Sequence, residues 1–152
     1  MNGFLLDTNV VAEISGKRAD ARVRQWFDAQ DESTLFLSIL TIGEYQKGIH
    51  NLPVGDPRRA PLAAAVAALE ERFTRRILSV SDAIVRRWGV LSGEIKRKTG
   101  HAPSVIDTLL AATALERHLY LITRNVHDFK HTESQVFNPW KNDLNGLRVR
   151  RL

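Results

Sequence analysis

Short runs of apolar residues alternate along the chain with longer segments in which apolar residues recur every three or four positions. A short apolar run is typical of a buried strand, and a period of 3.6 residues is typical of an amphipathic helix. The runs predict five strands, at residues 3–6, 34–37, 76–80, 119–122 and 135–137. The periodic segments predict helices at residues 20–29, 41–50, 58–73, 81–99 and 104–118, a further helix from about residue 10 and a short turn at 125–130.

Two of the predicted helices begin with a residue pair that has the spacing of a capping box. Thr41 is followed three positions later by Glu44, and Ser104 is followed at the same distance by Asp107. Strands separated by helices of this length pair in parallel through right-handed crossovers. We therefore expect a small α/β sandwich, and ligands of an open parallel sheet bind beyond the carboxyl ends of its strands.

Four acidic residues fall where the predicted strands end or where the next helices begin. Asp7 directly follows the first strand, whereas Glu44 and Asp107 stand in the first turns of helices. Asp128 follows the fourth strand, within the turn that begins at Asn125. Taken singly, each has an ordinary explanation, as a helix cap, as a member of a capping box or as a turn carboxylate.

Taken together, these carboxylates are expected to converge at one edge of a parallel sheet. Carboxylates that share a cleft repel one another, so either their pKa values rise or a cation neutralises them. An all-oxygen set without His or Cys suits a hard ion such as Mg²⁺ or Mn²⁺. Such an ion bridges naturally to a phosphate group, so the pattern favours chemistry on a phosphodiester.

The charge balance gives weak support to a nucleic-acid partner. The 152 residues include 22 Lys and Arg against 17 Asp and Glu, which leaves a net charge of +5. Such an excess of positive charge favours a polyanion, although any one group of basic residues is explained equally well as a solvated helix face. Basic side chains around an acidic pocket would hold the flanking phosphates of a nucleic acid.

Length and composition exclude several other classes of protein. The length is that of one domain, which we assign to residues 1–140, with a C-terminal tail at 141–152. No apolar run approaches the roughly 18 residues of a membrane span, so we expect a cytoplasmic protein without membrane contact. The absence of Cys excludes disulfides and a thiolate nucleophile. Signatures of P-loop, dinucleotide-binding, α/β-hydrolase and zinc-protease sites are also absent.

The sequence resembles the PIN-domain ribonucleases, and specifically the VapC-type toxins of toxin–antitoxin pairs. Four segments carry the resemblance in family order: FLLDTNVVAE at 4–13, LSILTIGEYQKG at 37–48, VIDTLLAATALERHLYLITRN at 105–125, and VHDF with VFNPW within 126–140. Together they span nearly the whole chain. The closing F-N-P-W is similar to the FitB-like branch.

The resemblance implies a three-layer α/β/α sandwich with a central, mostly parallel sheet of about five short strands. It also implies cleavage of RNA that depends on a divalent metal, Mg²⁺ or Mn²⁺. Asp7, Glu44 and Asp107 match the three principal acidic positions of the family. Asp7 and Asp107 match the positions that hold the metal most directly, and Glu44 completes the site.

Other site positions are implied by the same resemblance. Thr8, Asn9 and Thr123 match polar positions that support the site. The fourth acidic position of the family often follows a T-R dipeptide directly, where this chain has Asn125. This departure leaves a second metal site open: Asn125 would coordinate weakly or orient water, and Asp128 would supply the missing charge.

The resemblance also implies partners. Family members usually form homodimers and are silenced by a small antitoxin protein. The N-terminal part of the antitoxin typically binds operator DNA, and its C-terminal segment covers the acidic cleft. The expected partners are therefore an RNA substrate, a cognate antitoxin and a second copy of the chain, with operator DNA reached only through the antitoxin.

Three hypotheses for the function follow from the sequence. The leading one is an endoribonuclease toxin that hydrolyses RNA to 3′-hydroxyl and 5′-phosphate ends. The second keeps the same site but assigns it to housekeeping RNA processing. The third is a catalytically weak module that binds nucleic acid or a protein partner, with Asn125 as the mark of a degraded site.

Overall fold

The computed structural model describes residues 1–141, and they form a five-stranded sheet flanked by six helices. The strands are β1 (Gly3–Leu6), β2 (Leu35–Ser38), β3 (Ile77–Leu78), β4 (Leu119–Ile122) and β5 (Val136–Phe137). The helices are α1 (Thr8–Ser15), α2 (Ala21–Asp28), α3 (Ile39–Asn51), α4 (Arg59–Arg72), α5 (Asp82–Thr99) and α6 (Val105–Arg117). Three turns of 3-10 helix cover Glu32–Thr34, Val126–Phe129 and Pro139–Lys141.

The sheet is parallel throughout, with the strand order β3-β2-β1-β4-β5. The central strand β1 therefore pairs on one side with β2, the next strand in the chain, and on the other side with the distant β4. Leu6 at the end of β1 is in register with Ile122 at the end of β4. The expected fold, an α/β/α sandwich with a sheet of five short strands, is confirmed.

Side chains of β1 alternate between two apolar cores, one on each face of the sheet. Phe4 and Leu6 pack with buried residues of α1, α2 and α4, whereas Leu5 packs with buried residues of α6. A further layer forms where Ile84 and Leu91 of α5 cover the outer side of α6. Because all four residues of β1 are buried, the residue that follows the strand emerges from the middle of the molecule.

The expected strand and helix positions are confirmed, although several boundaries differ by a few residues. The largest difference is in β3, which was expected at 76–80 and pairs only at Ile77 and Leu78. Arg76, the residue before β3, still accepts at its backbone carbonyl from the N–H of Leu37, at 2.9 Å, and its side chain donates to the carbonyls of Glu32 and Leu35, at 2.6 and 3.0 Å. β3 lies at the edge of the sheet and has one partner strand, so little holds its end in the ladder.

The capping box expected at Thr41 is wrong, and the difference matters for the site. The cap of α3 lies three residues earlier, at Ser38, whose hydroxyl accepts a hydrogen bond from the backbone N–H of Leu40, at 3.1 Å. Ser38 is thus both the last residue of β2 and the cap of the next helix. Thr41 and Glu44 consequently lie inside α3, where their side chains are available for other contacts.

Two expected helix starts also need adjustment. The first helix begins at Thr8, not near Val10, because Asp7 caps it with a side-chain oxygen that accepts from the backbone N–H of Thr8. Ser104 caps α6 as expected. Residues 142–152, which make up nearly all of the proposed tail, lie outside the described residues. Lys141 is described and closes the last 3-10 turn. Within residues 1–141 no helix is both long and apolar enough to cross a bilayer.

The close approach of β1 to the segment before β2 leaves no room for a side chain at Gly3. A Cβ atom at this position would lie 2.3 Å from the carbonyl oxygen of Thr34 and 2.9 Å from the Phe36 ring. We expect Gly3→Ala to lower the free energy of unfolding by about 1–3 kcal/mol, because overpacking next to backbone cannot be relieved by a side-chain rotation. Urea unfolding followed by circular dichroism measures the change.

A matched glycine serves as the control for this prediction. Gly93 lies within α5, and a Cβ added there would have no neighbour within 4 Å. Gly93→Ala should therefore raise the free energy of unfolding by about 0.5–1 kcal/mol, since alanine loses less backbone entropy in a helix. Equal stabilities of the two variants would contradict the close approach at Gly3.

Candidate active site

The candidate site lies at the carboxyl ends of the central strands, where the strand order changes direction. Asp7 follows β1, and Thr123 follows the neighbouring β4. The backbone N–H of Asp7 donates to the carbonyl of Ile122, at 2.9 Å, so the two strands remain paired up to this edge. The sheet therefore places two polar residues from opposite ends of the chain side by side, at the position where parallel α/β sheets bind ligands.

The carboxylate of Asp7 is fixed by hydrogen bonds to both of its oxygens. Oδ1 accepts from the backbone N–H of Thr8, at 2.7 Å. Oδ2 accepts from the hydroxyl of Thr123, at 2.7 Å, and from the side-chain amide of Asn9, at 2.9 Å. The Thr123 hydroxyl in turn accepts from the backbone N–H of Asn125, at 3.0 Å. Asp7 is thus a helix cap and also the centre of a polar network.

Glu44 reaches this network from α3. The Thr8 hydroxyl lies within hydrogen-bond distance of Glu44 Oε2 and is 3.2 Å from the hydroxyl of Thr41. Glu44 is solvent-exposed, and its second oxygen, Oε1, has no hydrogen-bond partner among residues 1–141. The contact through Thr8 connects the carboxyl end of β1 to the helix that follows β2.

Asp107 approaches Asp7 from the first turn of α6. Its backbone N–H donates to the hydroxyl of Ser104, at 3.3 Å, which is one half of the expected capping box. The reciprocal bond from the backbone of Ser104 to the Asp107 carboxylate does not occur within the described part of the chain. The half-buried carboxylate of Asp107 accepts no hydrogen bond there, so it remains available to a ligand.

Burial and neighbouring charge raise the pKa of Asp7 above its usual value of 3.8. Burial is the largest cause, and the nearby carboxylates of Glu44 and Asp107 raise the pKa further, against the hydrogen bonds from Thr123 and Thr8 that lower it. The structure therefore places Glu44 and Asp107 near enough to Asp7 for their charges to act on it, but it does not close the three carboxylates around one point.

The raised pKa has a consequence for stability. Because the folded chain holds the Asp7 proton more tightly than the unfolded chain, the carboxyl group stabilises the fold when it is protonated, below about pH 3.8. This contribution is lost as the pH rises through the folded-state pKa. At neutral pH the ionised Asp7 carboxylate is a cost to the fold that a bound cation would offset.

The residues fit a divalent cation in their chemistry, although their side chains are not arranged around a single point. Within residues 1–141, no three His, Asp or Glu side chains are close enough together to hold one ion at once. The partly buried Asp7 has two carboxylate neighbours and no ion pair with any cationic side chain of the described chain. An all-oxygen set of this kind is the one that Mg²⁺ and Mn²⁺ prefer.

Asn125 and Asp128 stand apart from the three acids. The side chain of Asn125 is exposed on the wall of a neighbouring cavity, and its backbone N–H supports Thr123. Asp128 is also exposed, and it lines a separate cavity together with His101 and His131. The charge of Asp128 is not among those that shift the pKa of Asp7. A role for Asp128 in the site therefore stays a prediction that this arrangement does not support.

Four contributors to the site were not expected from the sequence. Ser38 caps α3, and Thr41 accepts a hydrogen bond from the Thr8 hydroxyl; the misplaced capping box concealed both roles. Arg124 donates its backbone N–H to the side-chain oxygen of Asn9, at 3.1 Å. Asn138, within the F-N-P-W segment, donates to the carbonyl of Arg124, at 3.1 Å. A polar residue inside an otherwise apolar closing segment was the signal that could have identified Asn138.

Comparisons with known proteins identify the family to which this chain is similar. Residues 4–134 match the description of the PIN domain. The plasmid stability protein StbB of Pseudomonas syringae pv. tomato is 33% identical over 138 residues, which cover 91% of this chain and 99% of StbB. The VapC ribonuclease Y4jK of Sinorhizobium fredii is 28% identical over 138 residues, covering 91% of this chain and 98% of that protein.

A solved structure gives the same result for the fold. The structure of FitAB bound to an IR36 DNA fragment contains a chain that superposes with a TM-score of 0.78 at 26% identity. The match covers 90% of this chain and 95% of that chain. The chain belongs to the PIN-domain family.

The hydroxyl of Thr123 is expected to control the ionisation of Asp7. Thr123→Val keeps the shape of the side chain but removes the hydrogen bond to Oδ2, which favours the charged carboxylate. We expect the pKa of Asp7 to rise further in this variant. The pKa is measured in metal-free protein by following the carboxyl ¹³C resonance of Asp7 as a function of pH.

Thr113→Val is the matched control for this measurement. Thr113 is equally buried, but its hydroxyl donates to the Leu109 carbonyl within α6. This substitution should leave the titration of Asp7 unchanged. Identical titrations of Asp7 in the wild type and in Thr123→Val would show that the network does not hold this carboxylate.

Proposed function

We propose that this chain is a metal-dependent endoribonuclease and acts as the toxin of a toxin–antitoxin pair. The observation that carries the proposal is the Asp7 carboxylate, held at the switch point of the sheet beside Glu44 and Asp107 and without a cationic partner in the described chain. The similarity to a VapC ribonuclease supports the choice of RNA as the substrate. We place this activity in the cytoplasm, where RNA is available.

Asp7 and Asp107 would hold the cation, Mg²⁺ or Mn²⁺, and Glu44 would complete the site. When bound, the ion supplies a Lewis acid that activates water and stabilises charge on the phosphate. Thr8 and Thr123 keep the Asp7 carboxylate in one orientation, which reduces the reorganisation needed during the reaction. Asn9 ties this carboxylate to the loop after β4.

Glu44 is the group that would handle the proton of the attacking water. Its Oε2 atom is engaged by the hydroxyl of Thr8, which leaves Oε1 free to orient the water and accept its proton. In-line attack would form a bond from the water oxygen to phosphorus and break the bond from phosphorus to the 3′ oxygen, which takes a proton from solvent, so the products would be a 3′-hydroxyl end and a 5′-phosphate end. Asn125 supports this arrangement through its backbone bond to Thr123.

The proposal extends to the partners of the chain. We infer that a small antitoxin covers the acidic cleft and carries the chain to operator DNA, and that the chain forms a homodimer. The structure of FitAB bound to a DNA fragment includes a chain that matches 90% of this one, which supports an assembly of this kind. The plasmid stability function named for StbB is the kind of function that such a pair performs.

Substitution of the acids tests the catalytic assignment. We expect Asp7→Asn and Asp107→Asn each to lower kcat on RNA at least about 100-fold with Mn²⁺. Each substitution removes a negative charge that is proposed to hold the catalytic cation. The rate of product formation and the chemistry of the new RNA ends are measured together. Glu44→Gln should lower the rate by a similar factor, because it removes the group proposed to accept the proton of the attacking water.

Asp82→Asn is the control, since Asp82 is also in the first turn of a helix but pairs with Arg86 at the surface of α5. Its activity should equal that of the wild type. Full activity of Asp7→Asn, or cleavage that continues in excess EDTA, would contradict the proposal. RNA binding in EDTA without any product would favour the catalytically weak binding module instead.

Expression in a bacterium distinguishes a toxin from a housekeeping nuclease. We expect brief induction of the wild-type chain to stop growth and to generate new RNA ends, because an unrestrained nuclease destroys essential RNA. Induction of Asp107→Asn should do neither, and co-expression of the neighbouring small reading frame should restore growth. Normal growth of cells that contain active wild-type enzyme would argue for RNA processing instead of a toxin.

A further inference from the structure

A polar cavity of about 760 Å³ lies next to the acidic site and is not used by the proposed chemistry. One wall is formed by the segment after α1, which contains Arg18. The opposite wall is formed by Arg124 and Asn125, directly after Thr123, and by the closing segment with Trp140 and Lys141. The cavity is open to solvent along one side, as a groove for a chain-like ligand must be.

The wall of this cavity is hydrogen-bonded to the acidic site. The backbone N–H of Arg124 donates to Asn9, and the backbone N–H of Asn125 donates to Thr123. Asn9 and Thr123 are the two side chains that bond to Asp7 Oδ2. A ligand that fills the cavity is therefore one residue layer from the carboxylate proposed to act in cleavage.

The lining of the cavity carries an excess of positive charge that no ion pair within residues 1–141 neutralises. Four cationic side chains line it, against the two acidic side chains Glu13 and Asp20. Asp20 is already paired with Arg22, at 3.0 Å, and the hydrogen bonds from Arg22 lower its pKa to about 2. Arg18, Arg124 and Lys141 form no ion pair within residues 1–141.

Arg124 is held in a position suited to a nucleic-acid base. Its guanidinium group lies over the ring of the buried Trp140, with the central carbon 5.4 Å from the ring centre. Asn138 fixes both partners, since its amide donates to the Arg124 carbonyl and its oxygen accepts from the Trp140 backbone N–H, at 2.9 Å. A planar guanidinium held in this way offers its outer face for stacking of an unpaired base.

We propose that this cavity binds the single-stranded RNA segment that flanks the cut phosphodiester bond. Phosphate groups of that segment lie against Arg18 and Lys141, and one base stacks on the outer face of Arg124. The inference rests on the proposed ribonuclease function and assigns to Arg124 the contact with one base of the flanking segment, which must be unpaired in order to stack on a side chain.

Steady-state cleavage of a short single-stranded RNA tests the inference. The double variant Arg18→Ala, Lys141→Ala should raise KM about tenfold at moderate salt and leave kcat within about twofold of the wild type. The dependence of log KM on log salt should weaken by about 0.7 for each phosphate contact that is lost. Both substituted side chains are exposed, so folding should not be affected.

The stacking position is tested separately. Arg124→Ala should raise KM about tenfold, because it removes both the charge and the surface on which the base stacks. Arg124→Lys keeps the charge, so it should restore the salt dependence of the wild type while KM stays raised. Recovery of the wild-type KM in Arg124→Lys would show that no base stacks there and would overturn that part of the inference.

Arg86→Ala is the matched control, since Arg86 is a surface arginine that lines a different cavity together with Arg87 and Glu116. It should cleave RNA with the KM and the salt dependence of the wild type. If KM rose as much in Arg86→Ala as in the variants of Arg18, Lys141 and Arg124, the inference would be overturned, because the change of net charge alone would then explain the effect.

Binding measured without cleavage separates the failure of this inference from the failure of the nuclease proposal. Fluorescence anisotropy of a labelled single-stranded RNA is followed in EDTA, with polyglutamate and duplex RNA as competitors. Weaker RNA binding in the Arg18→Ala, Lys141→Ala double variant and in Arg124→Ala, together with poor competition by polyglutamate and by duplex RNA, supports the inference even if the wild type cleaves nothing. Unchanged binding in those variants, or equal displacement by polyglutamate, overturns it even if the wild type cleaves RNA.

Discussion

The structure depends on one hydrogen bond across the switch point of the sheet, from the Thr123 hydroxyl to Oδ2 of Asp7. It joins the end of the first strand to the end of the fourth, and it stabilises the charged form of a carboxylate that burial disfavours. Next to this bond are the start of α1, where Asp7 accepts from the backbone N–H of Thr8, and the contact of the Thr8 hydroxyl with Glu44. The orientation of Asp7 in the acidic site therefore depends on this bond.

The sequence was sufficient for the fold because the apolar runs matched buried strands closely. Gly3–Leu6 and Leu119–Ile122 were predicted at their observed ends, since all eight residues are apolar or small and each strand is buried on both faces. The weak strand β3 was overextended, because an edge strand is limited by its single neighbour, and no local pattern records that. The convergence of Asp7 and Asp107 followed from topology alone.

Other parts of the site depend on contacts between distant segments, which spacing cannot show. The Thr-x-x-Glu pattern at Thr41 indicated a helix start, but Ser38 at the end of β2 caps the helix instead. The side chain of Glu44 is therefore available for its contact with Thr8. Asp128 was grouped with the other acids because it follows the fourth strand. The 3-10 turn directs it toward a histidine-lined cavity instead. Its position depends on the turn geometry, not on the strand.

The central position of β1 also sets the order in which the site can be assembled during synthesis. The Asp7 carboxylate is synthesised 116 residues before its partner hydroxyl on Thr123. The sheet cannot close around β1 until β4 has been made and has inserted beside it. A nascent chain that has not yet reached β4 therefore lacks the arrangement on which the proposed cleavage depends, and the site can form only after Thr123 has been synthesised.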